Sequence, residues 1–303
     1  MIRTKKKLLP ILTAALLMSS LTACGSSGGT GGTNAGMAGA SAGQGNVEAG
    51  NGISNGNSNS DSDSNNDGAG NEGGADEADA DSTSSYDTDD VTLWVNGTYA
   101  VLTYLNGWDY MIYAGMEYNE IYEPIYQQSL EEWWGVEDRE SADETLDWVL
   151  NEGHREDFVS EMEDLNELGL GDIDAEERAD YFIEEYTELS IDEAEFLAQM
   201  YNYYEEYGPE AIDGWDYSRA VYLPSMYYLA GFYTEDEAKE KSLEIAKIIQ
   251  EEFTSWDDFM DSYLRGYEYW NEDSSEERRA AYEEIKADPN GPYSLDWNLD
   301  LSY

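Results

Sequence analysis

The sequence predicts an all-α fold, a single multi-helix domain of about eight helices, from three observations. Four Ser/Thr-x-x-Glu boxes stand where helices would open: Ser141 with Glu144, Ser190 with Glu193, Thr234 with Glu237, and Ser274 with Glu277. In such a box the hydroxyl accepts a first-turn N–H, and the glutamate reaches back to the N-cap N–H. Asp174-x-x-Glu177 is a weaker version. Apolar residues then recur three and four apart, as in Phe158, Met162, Leu165 and Leu168, or Ala238, Leu243, Ile245, Ile248 and Phe253. Helix stops fall at Gly135, Gly153, Gly208-Pro209, Gly231 and Pro289, and long β runs are absent.

In chain order, residues 1–23 read as a lipoprotein signal peptide. Arg3, Lys5, Lys6 and Lys7 open it, and Leu8 to Met18 form an apolar run too short to span a bilayer. Leu21-Thr22-Ala23-Cys24 resembles the box at which a bacterial lipoprotein takes a diacylglycerol on its cysteine thiol. Two acyl chains, at roughly 0.8 kcal/mol per buried methylene, hold a protein stably where one does not. The expected address is therefore the cell membrane, lipid-anchored through Cys24 and facing outside the cytoplasm. Cys24 is also the only cysteine, so disulfides, Cys-based zinc sites and a thiol nucleophile are excluded from the rest of the chain.

Residues 24–90 read as a disordered tether of Gly, Ser, Asn, Ala and Asp, with no Lys or Arg and no aromatic until Tyr86. Such a composition buries too little apolar surface to offset its ordering entropy. As a flexible coil it would reach roughly 45 Å. Asp61, Asp63, Asn65, Asp67 and Glu72 fall at the spacing of a calcium loop, but Asn66 stands where the sharp turn needs glycine and no amphipathic helix flanks the segment. No metal site and no cofactor are assigned.

Residues 91–303 form the expected folded unit, with all nine tryptophans and all but one of the 25 tyrosines. The first stretch, Val91 to Leu105, carries two signals. Asn96-Gly97 is a hairpin turn pair, whereas Trp94, Val101, Leu105 and Trp108 fit a helical stripe, the stronger of the two. Tyrosines at 201, 203, 204 and 207, and at 217, 222, 227 and 228, read first as core and second as a recognition surface.

Removing residues 1–23 leaves 11 basic against 67 acidic residues, a formal charge of −56. That field repels phosphate backbones and anionic headgroups, so nucleic acid is not expected as a partner. Cationic molecules, divalent metals or basic protein patches are electrostatically allowed, and the acidity reads first as a means of solubility outside the cell.

Few residues here are equipped for chemistry. His154 is the only histidine, which excludes two-histidine zinc sites, and there is no Gly-x-Ser-x-Gly elbow. Ser255 reads as the cap of a helix opening at Trp256. Gly153 reads as a left-handed helix end, after which His154 would bond a carbonyl and Arg155 a carboxylate. Trp215-Asp216-x-x-Arg219 places the acid and the guanidinium on one helical face. With Trp215 turned inward, that pair is expected as an interhelical strut or a polar pocket floor, meeting His154 and Arg155 in the fold.

These segments also carry a resemblance. Trp134-Gly135-Val136, Leu146-Asp147-Trp148 running into Gly153-His154-Arg155, Trp215-Asp216 with Arg219, Phe253-Thr254-Ser255-Trp256, Tyr263-x-x-Gly266, Tyr269-Trp270 and Leu295-Asp296-Trp297 follow in order. Together they resemble the bacterial family called domain of unknown function 1266, over about residues 130–300. The resemblance implies a helical domain with no established activity. It also implies recurring positions at His154, Arg155, Trp215, Asp216, Arg219, Ser255, Trp256, Gly266 and Trp270. Tyr269 departs from the phenylalanine common there.

The expected function is a non-enzymatic binding or interaction module at the cell envelope, with a protein or envelope component as partner. The alternative is a hydrolase or small-ligand-binding protein using a pocket of His154, Arg155, Asp216 and Arg219, with Trp215 beside them.

Overall fold

The computed structural model describes residues 88–302. The expected signal peptide, the lipidated Cys24, the tether and its calcium-like spacing lie outside the described residues. In chain order the helices are α1 (Asp90–Gly97), α2 (Ala100–Leu105), α3 (Glu123–Trp134), α4 (Arg139–Asn151), α5 (Gly153–Glu167) and α6 (Arg178–Glu185). They continue as α7 (Ile191–Tyr207), α8 (Asp213–Leu229), α9 (Glu235–Glu252), α10 (Trp256–Asn271) and α11 (Glu276–Lys286). Among the described residues there is no strand, so the fold is all-α. The helices outnumber the expected eight because short ones such as α1, α2 and α6 carry no Ser/Thr-x-x-Glu box.

The capping grammar is partly as expected. Ser190 and Thr234 make reciprocal boxes with Glu193 and Glu237, and Ser255 caps α10 by accepting from Asp258 N at 3.1 Å. The box expected at Ser141 is different. Asp138, an equally good cap met earlier in the chain, accepts from Ser141 N, and the Ser141 hydroxyl accepts in return from Asp138 N, both at 3.0 Å. Nor does Ser274 form its box, because the N-cap of α11 is Ser275, whose hydroxyl donates to Glu268 Oε1 at 2.5 Å. Asp174 precedes a 3-10 turn without a side-chain cap bond.

The stretch from Val91 to Leu105 is helical, and Asn96-Gly97 ends α1 rather than turning a hairpin. Asn96 is fully buried; its amide donates to Tyr110 O (3.2 Å) and its Oδ1 accepts from Tyr99 OH (2.7 Å). Gly97 is needed for space, since a Cβ there would lie 2.8 Å from the Trp256 ring.

α8 is the axis of the domain, packing against α4, α9 and α10, with nearly every side chain from Gly214 to Leu229 buried. Two glycines let α8 and α10 approach. A Cβ on Gly214 would meet Tyr263 N at 2.6 Å, and one on Gly266 would meet Trp215 Cβ at 2.3 Å. Ser262 fastens the crossing, accepting from Gly214 N (2.9 Å) and donating to Ala211 O (3.1 Å).

On one side of this axis Trp94, Trp256 and Trp297 form a ring triad with centroids 4.8 to 5.1 Å apart. Each indole N–H donates to a backbone carbonyl, those of Trp297, Leu295 and Phe253 respectively, which removes the penalty for burying it. The triad joins the start of the domain to its end. On the other side Phe158, Met162, Leu165, Phe182, Leu197 and Met200 build a second core cluster from α5, α6 and α7. Of the tyrosines, Tyr201, Tyr222 and Tyr227 are core, whereas Tyr207 is exposed.

Candidate functional site

Every residue expected at the site converges where the α4–α5 junction meets the first turn of α8. Gly153 adopts φ +64, and a Cβ there would sit 2.3 Å from Asp216 Oδ2. Only glycine allows the carboxylate this close. Asp216, with no exposure, accepts from Arg155 N at 2.9 Å through Oδ2. The residue preceding α5, Glu152, makes no side-chain cap bond, so Asp216 of α8 supplies the N-cap of α5 from a distant part of the chain. A carboxylate at a helix N-terminus also meets the positive end of its dipole.

The Arg155 side chain works on the preceding helix. Its guanidinium donates to Val149 O at 3.1 Å and to Leu150 O, two carbonyls at the C-terminal end of α4. Its Nη1 lies 3.6 Å from Asp216 Oδ2, and the guanidinium sits over the Tyr217 ring at 5.1 Å. The carbonyl bonds expected of His154 are thus made by Arg155, whose longer side chain reaches back one turn. His154 instead stands edge-on to Trp148 at 5.5 Å, with Nδ1 3.6 Å from Asp216 Oδ1 and 3.3 Å from Arg219 Nη1.

Arg219 pairs with Asp216 Oδ1 at 3.8 Å, one turn along the same helix. Its guanidinium lies between the rings of Trp134 (4.8 Å) and Trp215 (5.1 Å). Burial lowers its pKa, and the Asp216 charge opposes that shift. Trp215 is buried, as expected, against Tyr263, Tyr267 and Trp270. Asp213, at the start of α8, has its carboxyl raised to about 6 by burial, against the pull of Arg155 and with the push of Asp216.

Asp216 Oδ1 and Trp215 Nε1 are buried without a hydrogen-bond partner among the described residues. Oδ1 nonetheless lies within 4 Å of His154 Nδ1 and of the Arg219 guanidinium. Two open cavities, of about 680 Å³ and 410 Å³, lie elsewhere, and neither is lined by His154, Arg155, Asp216 or Arg219. Among the described residues no group of His, Cys, Asp and Glu is placed to hold a metal ion.

Two partners of this cluster were not read from the sequence. Trp134 and Trp148 supply the aromatic faces for Arg219 and His154. The trans cap itself had a signal: a left-handed glycine opening a helix whose preceding residue, Glu152, is a poor cap. Arg178 was missed entirely. It is buried in the second core cluster, donating to Asn202 (2.5 Å), Glu205 (2.8 Å) and Leu170 O (3.3 Å) over the Tyr201 ring.

Among the described residues no helix is long and apolar enough to cross a membrane. No curated protein and no solved structure matches the chain. A family match does exist, over residues 129–297, to the family described as "Protein of unknown function (DUF1266)". That span takes in α4, α5, α8 and α10 with His154, Arg155, Asp216 and Arg219, which together form a clasp joining α4, α5 and α8, and the chain belongs to this family.

Proposed function

We propose that this chain is an exported protein anchored to the outer side of a membrane by lipid on Cys24, and that its helical domain is a non-enzymatic binding module. The observation that carries the second part is how His154, Arg155, Asp216 and Arg219 are used. They engage one another and the ends of α4 and α5 rather than facing either cavity. A catalytic acid or base needs reach to a substrate atom; Asp216 has no exposure. Support for the address is the charged, apolar and small-residue order ending at Cys24.

A competing reading, a hydrolase or small-ligand pocket on the same residues, draws on the unbonded Asp216 Oδ1. Stability measurements separate the two. In a structural clasp Arg219→Met lowers the unfolding midpoint, whereas in a ligand site it leaves the midpoint and removes binding. Feeding cells an alkyne-tagged fatty acid tests the anchor. The wild-type chain takes up label and is processed; Cys24→Ala does neither. A labelled or normally processed Cys24→Ala chain refutes the anchor.

A further inference from the structure

A second region, outside the matched family span, shows the reverse of the Asp216 cluster: large apolar groups with much of their surface facing water. Tyr118, Ile121, Tyr122 and Ile125 are exposed, Ile121 by 78%. They follow one another in the chain as an apolar stripe at the entry to α3: Tyr118 precedes the extended Asn119, Ile121 sits in a 3-10 turn, Tyr122 is the N-cap of α3 and Ile125 lies in its first turn. The stripe runs from the segment before α3, through the 3-10 turn Glu120–Tyr122, into the first turn of α3.

Its backing is fixed. Within α3, Tyr126 and Leu130 are buried. Gln127 donates to Ala230 O at 2.8 Å, which ties α3 to the turn after α8, and the Tyr118 ring packs on Tyr228 at 5.3 Å. Beside the stripe lies the 410 Å³ cavity, lined in part by Ile112, Met116, Glu117, Tyr118, Tyr228 and Glu235. Lys239 also lines it but is already paired with Glu235 at 2.6 Å.

Along the chain segment that carries the stripe the charge has one sign. Glu117, Glu120, Glu123, Glu131 and Glu132 surround or follow it, and no Lys or Arg occurs anywhere from Leu8 to Asp138. An apolar stripe ringed by carboxylates repels a second copy of itself and repels an anionic lipid surface. It complements a segment whose apolar face is flanked by lysines or arginines.

We propose that Tyr118, Ile121, Tyr122 and Ile125, with the adjoining cavity, form a docking surface for a basic amphipathic segment of a partner protein. This rests on reading the domain as a binding module and assigns that module its surface. Because the stripe precedes residue 129, it belongs to what this chain carries outside the matched family span.

The test uses the full mature chain and a helical leucine/lysine amphipathic peptide, followed by fluorescence polarisation at physiological salt. The wild type binds, and Ile121→Ser with Ile125→Ser weakens binding by about tenfold or more with an unchanged circular dichroism spectrum. Ile191→Ser, at another exposed isoleucine, leaves binding intact, and a leucine/glutamate peptide does not bind. Several results overturn the proposal: equal binding by the double variant, binding of the leucine/glutamate peptide, a dimer that the double variant abolishes, or capture of phosphatidylglycerol vesicles through the stripe. Crosslinking on intact cells keeps the two ideas apart. An adduct indifferent to the double variant overturns this surface alone, whereas a wild-type chain that forms no adduct overturns the binding-module reading as well.

Discussion

The clasp around Asp216 and the stripe around Ile121 invert the usual rule of where polar and apolar groups belong. In the clasp, three side chains able to carry positive charge and one carboxylate lie inside, and their partners are one another and helix ends. In the stripe, four large apolar groups at the entry to α3 lie outside, while Tyr126 and Leu130 of that helix are buried. The difference teaches where to look for function in this chain. The residues around Asp216, inside the matched family span, join α4 and α5 to α8. The most exposed large apolar side chain, Ile121, lies outside the matched span.

The comparison breaks first if the clasp is dispensable. Asp216→Ala removes the cap of α5 and leaves Arg219 buried without its carboxylate, an uncompensated charge that costs about 3–5 kcal/mol. Urea unfolding measures this directly. A wild-type midpoint for Asp216→Ala would mean the cluster is not structural. Arg219→Met should cost less, because Arg155 N still donates to the carboxylate, and the double variant gives the coupling between them.

A narrower strike at the same place is Gly153→Ala. The left-handed backbone penalises any Cβ, and this Cβ would press on Asp216 Oδ2. Together these cost about 2–4 kcal/mol, measured by thermal or urea unfolding. A loss below about 0.5 kcal/mol would show that the carboxylate moves aside freely.

Glu161 sharpens the contrast by showing a buried carboxylate that lacks the clasp's cations. It sits on α5, accepts from Tyr269 OH at 3.1 Å, and has Asp157, Asp164 and Glu272 as its charged neighbours. Burial pushes its carboxyl up to about 7 from 4.5, with the Tyr269 hydrogen bond opposing. The folded chain therefore holds this proton more tightly than the unfolded chain. The stability it contributes is full below about pH 4.5 and is lost as pH rises through about 7. Glu161→Gln keeps an acceptor for Tyr269 and should gain up to about 3 kcal/mol at pH 8, with little change at pH 4. Parallel stability–pH curves for the two proteins would refute it.

Much of this architecture was legible in the sequence because it is local. Capping boxes at Ser190 and Thr234 depend on residues three apart, and the helical stripe through Trp94 and Val101 outweighed Asn96-Gly97. The convergence of His154, Arg155, Asp216 and Arg219 was expected from motif order and i, i+3 spacing. What stayed hidden is long-range. No local rule says that a carboxylate on α8 caps α5, that Arg155 turns back to α4, or that Asp138 takes the cap expected of Ser141. Arg178 was invisible for the same reason: its partners Leu170, Asn202 and Glu205 come from both sides of it in the chain. Nor does the sequence alone reveal the Ile121 stripe, since large apolar residues read as buried until the packing shows which are covered.

The smallest expected effect is the most informative about function. If Ile121 and Ile125 serve only the folded state, replacing them by serine must lower stability, because buried methylenes are lost. Their exposure argues otherwise: Ile121 keeps most of its surface in water, and Tyr126 and Leu130 already fill the inner face. Ile121→Ser should therefore change the unfolding free energy by no more than about 0.5 kcal/mol in either direction. Ile125, more covered, should lose a little more. A loss above about 2 kcal/mol for Ile121→Ser would place that side chain in a core and remove the contrast on which the docking surface rests.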